Sequence, residues 1–441
     1  MSERALRPRG RRAMGWMAGL ILVLSSCTRI QVAPPPEIPS TPPPRVSEGP
    51  EPSPFTTPDV EEVKGVWVVR FTMTSEASVR SMVERASGAG INTLIVQVRG
   101  RADAFYSSTL EPRGESVRED EPFDPLSLTI ELARERGMEV HAWVNTHLVW
   151  GPAAPPIDRR HLVRANPDWL AVPRHLADEL LAVDPFEGRF FDTLVLDAEA
   201  NDDRVEGIYT SPSHPEVQDR VLEVWLDLAA RYDLDGIHFD YIRFPSAQYD
   251  YSIGALERFR IWLRGRVAED RFRELDDAYE RDLFAMVDGE SEAWSDFRRE
   301  QVDRLVLRIR DAIREVKPGL TISAAVIADR QLAYDDRFQD WARWLEEGWI
   351  DVAVPMAYTP DLTRFTELVD EARRAAGDPA RVWAGIGAYM NSADGTIRMI
   401  DAARGADAGG IVLFSYDWIV GEGRGSGTPY LERLGQARLR R

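Results

Sequence analysis

The sequence predicts a (β/α)8 barrel, and three observations carry that reading. Beyond Val60, eight short runs rich in β-branched and aromatic residues alternate with stretches whose apolar residues recur at helical spacing. No Gly-rich phosphate loop follows any run, which sets aside an open doubly wound sheet. The ends of the runs are unusually rich in Arg, Asp, His and Tyr, and the C-terminal strand ends are where barrels of this kind do their chemistry.

The first strand reads as "GVWVVRF" (65–71), followed by the helical text "EASVRSMVERASGAG", which stops on glycine. "NTLIVQV" (92–98) is the second strand, and "DPLSLTIELARERG" leads to the third, "MEVHAWVN" (138–145). A long connection over 146–215 then reaches "HPEVQDRVLEVWLDLAARYDLDG" and the fourth strand, "GIHFD" (236–240). Residues 246–300 read as an inserted helical lobe over the barrel mouth, from text such as "ALERFRIWLRGRVAE". "EQVDRLVLRIRDAIREVKPG" precedes strand five, "LTISAAV" (320–326), and strand six is "DVAVPMAY" (351–358). "FTELVDEARRAAGDPAR" separates it from "RVWAGIG" (381–387), and "GGIVLFS" (409–415) is the eighth.

Ahead of the barrel, residues 1–26 have the layout of a secretory signal. An Arg-rich start is followed by an apolar run from Met14 to Leu24, too short to span a bilayer comfortably. The run ends in "LSSC", the pattern of a bacterial lipobox, so Cys27, the sole cysteine, is the expected lipidation site. An acylated lone thiol leaves no disulfides, and stability must come from packing. Residues 27–59 are Pro-rich ("APPPEIPSTPPPR") and read as a disordered tether, tens of ångströms long at ~3 Å per residue. The fold then occupies 60–441. A cell-envelope location follows, and Thr28 lacks the Asp associated with inner-membrane retention, so an outer membrane is expected where the cell has one.

Composition excludes several classes of function. The formal charge is −19, and it becomes −23 once the signal, with five Arg against Glu3, is removed. Such a surface does not suit nucleic acid, and it stands off an anionic membrane except where its lipid holds it. Six His residues show no HExxH or paired Cys/His spacing, so no metal is expected. There is no GxSxG elbow, Cys27 lies at the signal, and no cofactor is implied. Thirteen Trp residues are many for a chain of this length. What remains is carboxylate chemistry in an aromatic-lined cleft, the usual equipment for glycosidic bonds.

The strand ends supply the candidates. Strand one ends in Arg70, strand two in Gln97 and Arg99, and strand three gives Trp143 and Asn145. Strand four gives His238, Asp240, Tyr241 and Arg243, strand six Tyr358, strand seven leads to Tyr389 and strand eight to Asp417 and Trp418. If Asp240 faces the barrel axis, alternation sends His238 inward too and turns Ile237 and Phe239 toward the helices. Buried charges cost several kcal/mol per ion unless paired, so a group of this kind is either a site or an ion-pair network closing the mouth. The aromatic candidates Trp143, Tyr241, Tyr358 and Trp418 read equally as sugar platforms or as barrel packing.

"KGVWVVRF", "NTLIVQVRGRADAFYSS", "FDPLSLTIELARERGMEVHAWVN", "DGIHFDYIRFP" and "WLEEGWIDVAVPMAY", in that order, resemble the bacterial glycosyl hydrolase-like family ten from Lys64 to about Trp418. The resemblance implies a barrel that cleaves glycan chains, with one branch linked to peptidoglycan stripped of its stem peptides. It marks Asp240 as the best catalytic carboxylate, matches Arg99, Asp103 and Tyr106 to the motif after strand two, and matches Asn145 to the one after strand three. Glycoside hydrolysis takes two carboxylates, and Asp103 is the candidate for the second, ahead of Glu111 and Asp417. Arg243 and Arg99 are candidates to hold Asp240 ionised, which would suit a nucleophile or base and not an acid. The chain departs from the family in having a single acid in "FDYIRFP" and "PMAYT" at strand six, and Ile242 stands where a chitinase-like barrel has its acid. The reading is a lipid-anchored glycoside hydrolase; the alternative is a non-catalytic glycan-binding lipoprotein on a degenerate barrel.

Overall fold

The computed structural model describes residues 62–117, 123–151, 154–202, 204–421 and 429–440. The signal, Cys27 and the Pro-rich tether lie outside them. Eight parallel strands run around a barrel: β1 (Val63–Val68), β2 (Thr93–Arg99), β3 (Glu139–Asn145), β4 (Gly236–Asp240), β5 (Thr321–Val326), β6 (Val352–Pro355), β7 (Trp383–Gly387) and β8 (Gly410–Phe414). Continuous ladders join β6 through β5, β4, β3, β2 and β1 to β8 and β7. The ring closes between β6 and β7 through two isolated bridges, Ala353 with Val382 and Met356 with Gly385. That seam is thin because Pro355 ends β6 with no N–H to donate. It is also close, since a Cβ on Gly385 would lie 2.6 Å from the Pro355 carbonyl oxygen.

Capping chemistry sets the helix boundaries. Ser75 accepts from the Ser78 amide to open the helix Glu76–Ala89, and Gly90 ends it with φ 93°. Its Val79, Met82, Val83 and Ala86 recur every three or four residues and face the barrel core. Asp124 caps Pro125–Arg134, and Asp361 caps Leu362–Ala376. The helix before β5 begins at Ser291, nine residues ahead of the expected text, because Trp294 and Phe297 extend its buried face toward the N-terminus.

The inside of the barrel is a packed layer of Trp67, Ile95, Trp143, Ala325, Val354, Trp383 and Val412. Below the mouth, Trp67 Nε1 donates to His238 Nε2 (3.0 Å) and His238 Nδ1 pairs with Ser323 Oγ (2.9 Å). With Ser323 donating to the Ile237 carbonyl, the chain of donors is complete when His238 is neutral and protonated on Nδ1. Burial holds its pKa well below the ordinary value, in agreement with that tautomer.

Residues 246–300 contain the helices Ile253–Leu263, Glu269–Tyr279 and Ala285–Gly289, and none of their residues lines the cavity at Asp240. Phe259 packs edge-on against Trp294 (5.0 Å) and stacks with Trp262, so this aromatic face holds the insertion against the outer helix Ser291–Val316. The connection after β3 flanks the mouth instead. Its short antiparallel ribbon, Leu148–Trp150 with Ile208–Tyr209, carries Leu148 and the neighbouring Glu206 to the cavity wall.

Candidate active site

Asp240 is the last residue of β4, level with Asn145 of β3. The next residue, Tyr241, takes φ 50°, a left-handed conformation that costs a non-glycine residue on the order of 1 kcal/mol or more. That turn points its amide back at the strand end, where it donates to Asp240 Oδ1 (2.7 Å). Trp143 Nε1 donates to Oδ2 (3.0 Å). The chain then brings Arg243 back over the Tyr241 ring, 4.9 Å from its centroid, and into an ion pair with Glu206 (2.7 Å). Tyr209 donates to the other oxygen of Glu206 (2.6 Å). Aspartate, tyrosine and arginine therefore end one strand because each fixes a different wall of the same mouth.

The electrostatics separate the two carboxyl groups. Burial pushes the Asp240 pKa up to about 7 against the opposing Arg243 charge and the two hydrogen bonds, and the nearby Glu206 charge adds to the rise. Burial opposes ionisation of Glu206 as well, yet Arg243 and the hydrogen bonds from Tyr209 and Arg243 outweigh it and leave this carboxyl below its usual range. One acid is thus poised to hold a proton near neutrality while its neighbour is ionised.

The cavity around Asp240 has a volume of about 470 Å³. Of the residues read from the strand ends, Arg70, Gln97, Trp143 and Asn145 line it, and so do Tyr241, Arg243, Tyr358 and Tyr389. Gln97 connects several of them, accepting from Arg70 Nη1 (3.0 Å) and donating to Asn145 Oδ1 (3.3 Å). Tyr358 stacks on Phe414 (5.5 Å, 30°), and Tyr389 meets both rings edge-on, forming an aromatic wall opposite the polar one.

The remaining candidates lie elsewhere. Arg99 is fully buried in a two-pronged pair with Glu111 (2.7 Å) and donates to the Asn145 and Thr146 carbonyls, so it braces β3 and does not face Asp240. Glu111 is committed to the same brace. Tyr106 is buried against Tyr232. His238 sits below the floor in its Trp67 and Ser323 bonds. Asp417 accepts from the Val69 amide (2.8 Å) and the Thr72 hydroxyl, fixing the turn after β1. Trp418 packs on Tyr430 and is not among the residues lining the Asp240 cavity. Asp103 accepts from the Arg101 amide (2.7 Å) and lines an adjoining cavity.

Among the lining residues that escaped the strand-end reading are Glu206, Arg101, Trp67 and Phe414. Trp67 and Phe414 were accessible to it, since alternation within β1 and β8 turns both inward. Glu206 and Arg101 lie in irregular connections, where no period marks a side chain's direction. Among the described residues, no group of three His, Cys, Asp or Glu converges as a metal site requires.

A closed eight-stranded barrel with a buried carboxyl, a second acid and an aromatic wall at its C-terminal mouth is the architecture on which glycoside hydrolases are built. The model of the glycosyl hydrolase-like 10 family matches residues 62–390, most of the chain, and the protein belongs to that family. It is 26% identical over 290 residues to the glycosyl hydrolase YngK of Bacillus subtilis, covering 61% of this chain but only 46% of YngK. It is 24% identical over 381 residues to the glycosyl hydrolase DigH of Escherichia coli K12, covering 78% of this chain and 74% of DigH. Among solved structures, the PgaB (BpsB) glycoside hydrolase domain of Bordetella bronchiseptica superposes with a TM-score of 0.59 at 14% identity, covering 85% of this chain and 98% of that one. The catalytic domain of a Paenibacillus polymyxa β-amylase does so at 0.56 and 11%, covering 85% and 97%. At these identities the structural likeness speaks for the fold.

Proposed function

We propose that the protein is a cell-envelope glycoside hydrolase that cuts extended glycan chains, peptidoglycan stripped of stem peptides foremost, with Asp240 as its proton-handling carboxyl. The observation that carries this reading is the buried Asp240 carboxyl at the floor of the mouth, with a pKa of about 7, beside the ionised Glu206. Asp240, protonated near neutrality, delivers its proton to the leaving glycosidic oxygen, and an ionised carboxylate acts at the sugar's other face. Glu206 suits the second role because it shares the cavity and Arg243 keeps it charged. Asp103 is its rival from the adjoining cavity.

Family membership and the names of the relatives support glycan cleavage; anchoring and substrate rest on the lipobox at Cys27, the tether and the resemblance. The test is release of fragments from purified, peptide-stripped peptidoglycan. Asp240→Asn should lower the rate by roughly 10²–10⁴-fold. Glu206→Gln and Asp103→Asn, assayed in parallel, assign the second role to whichever variant falls comparably. Glycan binding without release by the unmodified protein would favour a glycan-binding lipoprotein instead.

A further inference from the structure

A second cavity, of about 330 Å³, adjoins the first, and Arg70 and Arg101 line both. Each of its acids accepts a hydrogen bond from elsewhere in the chain. Asp103 accepts from the Arg101 amide (2.7 Å), Glu115 from the Ile157 amide (2.8 Å), and Asp158 pairs with Arg160 (2.6 Å). The two arginines are less well matched. Arg101 Nη1 is buried with no hydrogen-bond partner, and Arg70 Nη1 donates to the neutral amide oxygen of Gln97 (3.0 Å). Burial lowers the Arg70 pKa; the Asp103 charge opposes this, and the Arg101 charge, a smaller effect, adds to it, so two cations share one wall with the Asp103 carboxylate.

The backbone makes room for this pair. A Cβ on Gly100 would lie 2.4 Å from Arg70 Cδ, so glycine lets that side chain lie across the end of β2. Beside them Phe71 is 61% exposed, with the Arg70 guanidinium 4.5 Å from its ring centroid, and Trp150 forms part of the far wall. An aromatic face next to two guanidinium groups, one with an unpartnered nitrogen, is what a sugar bearing an anion would meet.

We propose that Arg70 and Arg101 form a carboxylate-binding subsite, so that the glycan entering this cleft carries an acidic sugar beside the unit held at Asp240. The inference rests on the glycan reading above. A bound carboxylate gives Arg101 Nη1 its missing partner and offsets the repulsion between the two guanidinium groups. Phe71 and Trp150 offer apolar faces to the same sugar.

The test compares two probes on the detergent-solubilised full-length protein. One is soluble, peptide-stripped peptidoglycan chains, whose muramic acid units carry free carboxylates; the other is the same chains after carbodiimide activation and borohydride reduction of those carboxylates to alcohols. The unmodified protein should bind the native chains roughly tenfold or more tightly than the reduced ones. Arg101→Gln should lose that preference and Arg101→Lys should keep part of it, both with thermal midpoints no lower than that of the unmodified protein, since Arg101 Nη1 has no protein partner to lose. Equal affinity for the two probes, or an undiminished preference in Arg101→Gln, overturns the subsite. Failure of the hydrolase reading looks different: preference for native chains without fragment release supports the subsite and ends the hydrolytic account. Absence of binding to either probe overturns both.

Discussion

At the scale of single residues, the proposed chemistry depends on how Asp240 and Glu206 differ. Because burial raises the Asp240 pKa to about 7, the folded state holds a proton that the unfolded chain releases near pH 4. Its contribution to stability is therefore fully present below the unfolded pKa and is lost as pH rises through 7, a change on the order of 4 kcal/mol. Asp240→Asn carries no such penalty, so its thermal midpoint should gain on that of the unmodified protein between pH 5 and pH 8, whatever constant offset the lost hydrogen bond introduces. A flat difference across that range would show that Asp240 titrates normally. Glu206→Gln makes a second test. It removes a charge that raises the Asp240 pKa and releases Arg243, whose charge lowers it. The alkaline limb of glycan release should then move to lower pH, and a limb that stays in place would separate Glu206 from Asp240. Asp240, Tyr241 and Arg243 were legible because a strand end announces them, whereas Glu206 was not, because the long connection after β3 has no repeating pattern to show which way its side chains turn.

At the scale of elements, strand alternation was a sound guide where the pleat is regular and failed where it is not. His238 does point inward with Asp240, one layer lower, where its bonds to Trp67 and Ser323 make it part of the barrel's interior. In β2 the pairing with β3 shifts register between Gln97 and Arg99, so two residues that strict alternation places together part company. Gln97 reaches the cavity, while Arg99 reaches Glu111. The packed interior also predicts which substitutions the strands refuse. A Cβ on Gly236 would meet His141 Nδ1 at 2.3 Å, so Gly236→Ala should destabilise by about 1–3 kcal/mol or more, measured by denaturant unfolding. Trp67→Ala empties the centre of the same layer and should cost about 3–5 kcal/mol. A Gly236→Ala protein as stable as the original would mean that the two strands can part without cost.

At the scale of the whole molecule, the eight strands were legible because their β-branched runs are short and separated by capped helices. The position of the 246–300 insertion was not, since its packing against Ser291–Val316 is a tertiary contact between aromatic faces distant in sequence. The described residues contain no helix long and apolar enough to cross a membrane, and the expected anchor falls outside them at Cys27. Cys27→Ser should abolish labelling by a clickable fatty acid and move the protein from the membrane fraction to the soluble one; persistence of label would place the lipid elsewhere. The most direct test of the central claim is glycan release from peptide-stripped peptidoglycan by the Cys27→Ser protein beside the same protein with Asp240→Asn. Fragments are expected from the first, and a loss of at least a hundredfold in the folded second. Equal release by both would contradict it.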